Sequence, residues 1–181
     1  MTALVIVDDE PNVLSSLLRM CMNPLAVPAL PKGLDVQTFT SPEDALGYVR
    51  THPVDLVISD FRMPVMDGAA FLAEVRALQP ETARMMLSAF TDMPGIVRAI
   101  NDAGIFHFVA KPWNDTDLRT SILNALAHRA LLVENRRLAD ELRAQTNVAM
   151  RQKREIERLE AETPGITHVR WSEDGGVLLE R

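Results

Sequence analysis

Cysteine is nearly absent: Cys21 is the single thiol in 181 residues. One thiol rules out an internal disulfide, so Cys21 reads as a packed side chain and a reducing cytoplasm is the expected compartment. No apolar run approaches the roughly 20 residues needed to span a bilayer. No basic stretch precedes the first apolar run, which breaks at Asp8-Asp9-Glu10, so a signal peptide is not expected either. Clustered basic charge is lacking too. A net charge of -6 argues against a general nucleic-acid surface, which needs grouped Lys and Arg. Proline and glycine vanish between about Asp115 and Glu162. What remains is ordinary for a globular chain, 47% hydrophobic and 24% charged, with length for one domain and an appendage.

The first two-thirds alternate between short apolar runs and amphipathic segments. Strands are predicted near 3–7, 34–39, 54–59, 83–87 and 106–110, and helices near 11–23, 42–51, 67–78 and 94–103. Such alternation predicts an α/β fold, a parallel sheet with helices on both faces. Right-handed crossovers then bring the strand ends to one edge. Local signals agree. Ser41-Pro42-Glu43-Asp44 offers an N-cap, a first-turn proline and first-turn acids. Asp67-Gly68 opens the third helix, Pro80 closes it, and Gly104 stops the fourth. Pro24, Pro28 and Pro31 make 24–33 an irregular insertion.

After Trp113 the pattern changes. Leu131, Asn135, Leu138, Leu142, Gln145, Ala149, Gln152, Ile156 and Leu159 alternate by four and three, a heptad seam. Asn135, Leu142, Ala149 and Ile156 fall at a; Leu131, Leu138, Gln145, Gln152 and Leu159 fall at d. One buried Asn at a favours a parallel two-stranded pairing, so a homodimer through a coiled coil is expected. The two Gln and one Ala weaken its middle, and an unpaired exposed helix is the competing outcome. Thr163-Pro164-Gly165 ends the helix, and Ile166–Trp171 with Val177–Glu180 reads as a short hairpin around Asp174-Gly175. Three segments follow: a domain over 1–125, a long helix over 126–162 and a tail over 163–181.

The chemistry gathers at strand ends. Asp60 ends Val54-Asp55-Leu56-Val57-Ile58-Ser59, an almost wholly apolar run typical of a buried parallel strand. Asp8 and Asp9 follow the first strand, Ser88 the fourth and Lys111 the fifth. Open α/β sheets place ligands beyond these carboxyl ends. An acidic pair, an isolated Asp, a hydroxyl and a Lys suit metal-assisted phosphorylation of a carboxylate. Phosphoryl transfer is mostly positioning and charge stabilisation, and magnesium suits oxygen ligands with several retained waters. Asp9 and Asp60 are the candidate direct ligands, with Asp8 acting through water and the Arg62 main-chain carbonyl as a further donor. Lys111 supplies fixed positive charge, and Ser88 a hydrogen bond, to the incoming phosphoryl oxygens. Singly, each group has a plain structural reading as a helix cap, turn residue or surface charge. Their joint order along one sheet carries the case.

Asp8-Asp9-Glu10-Pro11, Asp60-Phe61-Arg62-Met63-Pro64-Val65-Met66-Asp67-Gly68, Ser88-Ala89 and Lys111-Pro112-Trp113 resemble the receiver domain of two-component response regulators over about 1–125. The resemblance implies a flavodoxin-like five-stranded sheet of order 2-1-3-4-5 and a cis Lys111–Pro112 peptide. It implies that Asp60 accepts phosphate from a histidine kinase or phosphotransfer protein with Mg2+. Ser88 and Phe108 would move as the switch, and the fourth helix, fifth strand and fifth helix would carry the signal. Many members have Tyr where Phe108 stands, so any hydrogen bond from that ring is lost.

Other functions fit less well. Phosphohydrolases of the haloacid dehalogenase type carry a second Asp two residues after the nucleophile, where this chain has Arg62; an enzyme is not expected. The 163–181 segment is too short for a helix-turn-helix, so direct DNA binding is not expected. His52, His107, His128 and His168 share no metal-ligand spacing. Arg151-Gln152-Lys153-Arg154 reads as a solvated helix face. The alternative is a receiver plus linker from a longer regulator whose output domain lies outside the sequence.

Overall fold

The structure is a computed structural model that describes residues 2–89 and 104–162. Five parallel strands, β1 (Thr2–Val7), β2 (Leu34–Phe39), β3 (Leu56–Asp60), β4 (Ala83–Ser88) and β5 (His107–Ala110), form one sheet of order β2-β1-β3-β4-β5. The order is the one implied above, with the switch in winding direction beside β1. The described helices are α1 (Pro11–Met22), α2 (Pro42–Thr51), α3 (Gly68–Leu78) and α4 (Asp115–Glu162). The helix expected over 94–103 and the hairpin expected over 163–181, with Trp171 and His168, lie outside the described residues.

Strand alternation splits the core in two. Val5, Val7, Val57 and Met86 face α2 and α3, where Ala45, Leu46, Val49, Phe71, Leu72 and Val75 complete one cluster. Leu4, Ile6, Leu56, Ile58, Met85 and Leu87 face α1 and α4, packing on Leu14, Leu17, Leu118, Ile122 and Ala125. With both sheet faces covered, the central strands read as continuous apolar runs. Each fully buried Leu, Ile or Phe here contributes roughly 1.5–3 kcal/mol.

The helix starts behave as their cap residues dictate. Ser41 Oγ accepts from Asp44 N at 3.2 Å, and Asp67 Oδ1 accepts from Ala70 N at 2.8 Å. Asn114 caps α4, its Oδ1 accepting from Thr116 N at 2.8 Å. The third strand differs from its expected bounds. Val54 N is taken by the Gln79 side chain at 2.9 Å and Asp55 Oδ2 accepts from Ala3 N at 2.7 Å, so regular pairing starts at Leu56. At the other end Asp60 pairs with Leu87, so the residue expected just past the strand is its last member. Ser88 is likewise the last residue of β4. Residues 24–33 hold no helix or strand, as expected.

The chain divides into a first compact unit ending at Val133 and a second beginning at Glu134. In the first, α4 is tied down by the buried Arg119, whose Nε donates to the Met20 carbonyl at 3.2 Å. Cys21 beside it is buried, and burial pushes its thiol up to about 12, so it is a packed side chain and not a reactive one. In the second, Leu138, Leu142 and Ile156 are exposed. Ion pairs one turn apart, such as Arg137 with Glu134 and Glu141, line the surface of this part of the helix. Lys153, from the basic cluster, faces Glu157 at 3.9 Å, in keeping with a solvated helix face. No helix among the described residues is long and apolar enough to cross a membrane.

Candidate functional site

The carboxyl ends of β1, β3, β4 and β5 meet around a depression of about 230 Å³ lined by Asp9, Glu10, Asp60, Arg62, Ser88 and Lys111. Register explains the convergence. Val7 pairs with Ser59, Asp60 with Leu87 and Ser88 with Ala110, so residues far apart in sequence end at one level. Parallel pairing thus turns four separate sequence positions into one cluster.

Lys111 is its centre. Its Nζ binds Asp8 Oδ2 at 2.7 Å across 103 residues of sequence and also contacts Asp60 Oδ1. Asp8 is fully buried and Asp60 is 6% exposed. Two carboxylates this close and this dry repel unless a cation lies between them. Burial works against the Lys111 charge, but the hydrogen bonds to Asp60 and Asp8 outweigh it and raise its pKa above the usual value. Burial pushes the Asp60 carboxyl above its ordinary range; Lys111 and the Arg62 N–H pull the other way, and the Asp8 charge adds to the rise.

The loop after β3 holds the Asp60 carboxylate from beneath. Arg62 N donates to Asp60 Oδ2 at 2.7 Å, and Gly68 N donates to the Phe61 carbonyl at 2.8 Å. Gly68 approaches so closely that a Cβ there would lie 2.0 Å from the Asp60 carbonyl oxygen. Val65, at φ 70°, stands in the left-handed region, and Met66 N reaches back to the Pro64 carbonyl at 2.8 Å across this tight turn. On the other side Ser88 is 2% exposed, with Oγ 3.3 Å from the Ala89 carbonyl. Lys111 N is anchored to the Ser88 carbonyl at 2.8 Å, and the Lys111–Pro112 peptide is cis.

The structure therefore brings together Asp8, Asp9, Asp60, Arg62, Ser88 and Lys111. Phe108 stands apart from that pocket: it is partly buried on the face that packs against α2 and α3, beside Met86. The division between the acidic pair is clearer than the residues indicated. Asp8 is the buried member, accepting from Glu10 N at 2.9 Å through Oδ1, while Asp9 is exposed at the rim. Glu10, given no role above, lines the pocket, and Gly68 is the support that sequence reasoning missed. Its sequence signals were its place at a helix start and at the end of the Asp60–Gly68 stretch; the close backbone approach there leaves no room for a side chain.

The donor set fits magnesium. Carboxylate and carbonyl oxygens are the hard ligands this ion takes, and one or two carboxylates with retained waters suffice. Among the described residues no three acidic, imidazole or thiol groups close around one point, and the Lys111 ammonium contacts both Asp8 and Asp60.

The raised Asp60 carboxyl has a consequence for stability. A folded-state pKa above the unfolded value contributes stability that is present below the ordinary carboxylate range and is lost as pH rises through the folded pKa. Asp60→Asn keeps the neutral shape at all pH values. It is expected to match the parent in acid and to exceed it by about 1 kcal/mol at neutral pH. Denaturant titrations at both pH values in metal-free buffer check this; a variant weaker than the parent at neutral pH would contradict it.

Comparison with known proteins agrees with this architecture. Residues 4–123 match the response regulator receiver domain family. The chain is 33% identical over 144 residues to the hydrogenase transcriptional regulatory protein HoxA of Cupriavidus necator, covering 80% of this chain and 28% of that protein. It is 34% identical over 134 residues to the transcriptional regulatory protein GlrR of Escherichia coli, covering 74% of this chain and 28% of that one. The chain thus spans little more than a quarter of these longer regulators. The signal receiver domain of an HD domain-containing protein from Pseudomonas fluorescens superposes with a TM-score of 0.65 at 30% identity, over 74% of this chain and 92% of that domain. With the sheet order, the acidic pocket and the bridging lysine in place, the chain belongs to the receiver-domain family of two-component response regulators, here followed by a long helix.

Proposed function

We propose that Asp60 is the phosphoacceptor, taking a phosphoryl group from the phosphohistidine of a histidine kinase or phosphotransfer protein. The observation that carries this reading is the Lys111 bridge to Asp8 and Asp60 in a pocket shared with Ser88. An Asp60 carboxylate oxygen attacks phosphorus while the P–N bond to the donor imidazole breaks, and that bond's electron pair leaves with the imidazole. Lys111 and the Ser88 hydroxyl donate to the phosphoryl oxygens, where charge develops. Asp9 and Asp60 would hold magnesium directly, with Asp8 through water and the Arg62 carbonyl as a further donor. When bound, the ion offsets the repulsion between the two anions.

Phosphorylation adds about -1.5 to -2 charges and strong acceptor oxygens. In this reading Ser88 turns toward the phosphoryl group and Phe108 packs further inward, and the change is read on the face made by β5 and its flanking helices. Residues 1–125 form the receiver, 126–162 the coiled-coil helix and 163–181 a tail. The exposed Leu138, Leu142 and Ile156 support pairing of two copies along the heptad seam. The chain is then a cytoplasmic signalling switch, acting through protein contacts and not as a metabolic enzyme. A second reading is favoured by the partial coverage of its relatives: the helix would link the receiver to the output domain of a longer regulator.

Incubation with acetyl phosphate and magnesium is expected to load one phosphoryl group on the parent and none on Asp60→Asn. Uptake that survives the substitution refutes the acceptor. Sizing the same samples by light scattering reports whether the chain pairs; a monomer in both states removes the homodimer.

A further inference from the structure

The opposite end of the sheet holds a second concavity. The segments leading into β4 and β5, together with the first-unit part of α4, surround about 350 Å³, within the size range of small-molecule sites. Arg84, His128 and Arg129 line it, Phe106 and Leu132 supply apolar surface, and Glu81 is the single acidic side chain among its described lining residues. A further guanidinium arrives from α3: a Cβ built on Gly104 would lie 3.5 Å from both Arg76 Nη1 and Arg84 Nη2. Two cations thus converge on one backbone point. Burial first, and then the Arg76 charge, hold Arg84 below its ordinary value.

Arg129 adds an independent observation. Its Nη1 pairs with Asp55 Oδ1 at 2.6 Å, but its buried Nε meets no acceptor among the described residues. A buried donor left unpaired costs desolvation without return, and native structures rarely leave one so. The Phe106 and His128 rings lie 4.7 Å apart, tilted by 35°, and both line the cavity. Nothing here resembles the extended basic stripe that a nucleic acid needs.

We infer that this cavity binds a small organic anion, its carboxylate or phosphate group meeting the unpaired Arg129 Nε, with charge support from Arg84, whose Nη atoms donate to the Pro80, Thr82 and Gly104 carbonyls, and its apolar body lying on Phe106 and Leu132. The site is remote from Asp60 and independent of phosphotransfer.

The test titrates benzoate, and neutral benzamide as its isostere, into the full chain labelled for NMR. Benzoate is expected to give saturable shifts at Phe106, His128 and Leu132 with a dissociation constant of about 1 mM, and benzamide none. Arg129→Gln is expected to weaken benzoate at least about tenfold, the loss of one charge-assisted contact. Leu132 is half exposed at the rim. Leu132→Trp is expected to block binding while leaving the unfolding midpoint and phosphoryl uptake on Asp60 unchanged, so it decides the matter if Arg129→Gln folds poorly. Equal binding of both probes, benzoate binding unchanged in Leu132→Trp, or no saturable shift by about 20 mM overturns the proposal.

Discussion

Gly68→Ala is expected to destabilise the chain by about 3 kcal/mol, at the upper end of what an added methyl costs in a packed site. The new Cβ would stand 2.0 Å from the Asp60 carbonyl oxygen, 2.9 Å from the Asp60 carbonyl carbon and 3.0 Å from Phe61 Cα. All three are backbone atoms, so no side chain can swing aside. Either α3 moves off the sheet, breaking the Gly68 N–H bond to the Phe61 carbonyl, or the Asp60 loop is displaced. The second outcome also moves the Asp60 carboxylate away from Lys111. Gly47 is the internal control. It sits within α2 with nothing inside 4 Å of a built Cβ, so Gly47→Ala is expected to stabilise by about 1 kcal/mol through helix propensity alone. Urea unfolding of the two variants side by side separates steric cost from propensity. Gly68→Ala within about 0.5 kcal/mol of the parent would mean that the contact is not a constraint.

Lys111→Met is the second large effect. It removes the cation between Asp8 and Asp60 while leaving both carboxylates buried. Breaking a buried pair by deleting one partner leaves an uncompensated charge and costs about 3–5 kcal/mol when both partners are dry. Lys111 retains 22% side-chain exposure, so a loss of about 2–3 kcal/mol at neutral pH is expected. The sign of the pH dependence follows. Without the ammonium, the Asp60 carboxyl, already raised by burial, holds its proton still more tightly in the folded state than in the unfolded one. The deficit should therefore shrink as pH falls toward the ordinary carboxylate range, until general acid unfolding intervenes. Added magnesium should restore more stability to the variant than to the parent, since it supplies the missing positive charge. A deficit that neither acid nor magnesium reduces would place the effect in lost packing of the lysine stem and not in charge.

Much of the site was legible because buried parallel strands announce themselves. Leu4 to Val7, Leu56 to Ile58 and Met85 to Leu87 are apolar on both faces, and each run stops at a polar residue. Once those runs are recognised as strands of one parallel sheet, Asp8, Asp60, Ser88 and Lys111 must share an edge. The caps at Ser41 and Asp67 were equally readable, because capping is a local bond between residues a few positions apart. The strand boundaries were off by a residue or two for the converse reason. Where β3 begins depends on Gln79 and Ala3, which sit far away in the chain.

The amino-acid order by itself settled the five strands and the group of polar residues at their ends, since these rest on local periodicity and spacing, while the family followed from the resemblance of short motifs. Tertiary contact decided which of the two adjacent aspartates faces the lysine. In a strand buried on both sides, every position is apolar and the pattern carries no parity, so only packing of the sheet against its helices turned Asp8 inward and Asp9 out. It alone also placed Arg119 against Met20 and Arg129 against Asp55, contacts between distant residues that no short window of sequence encodes.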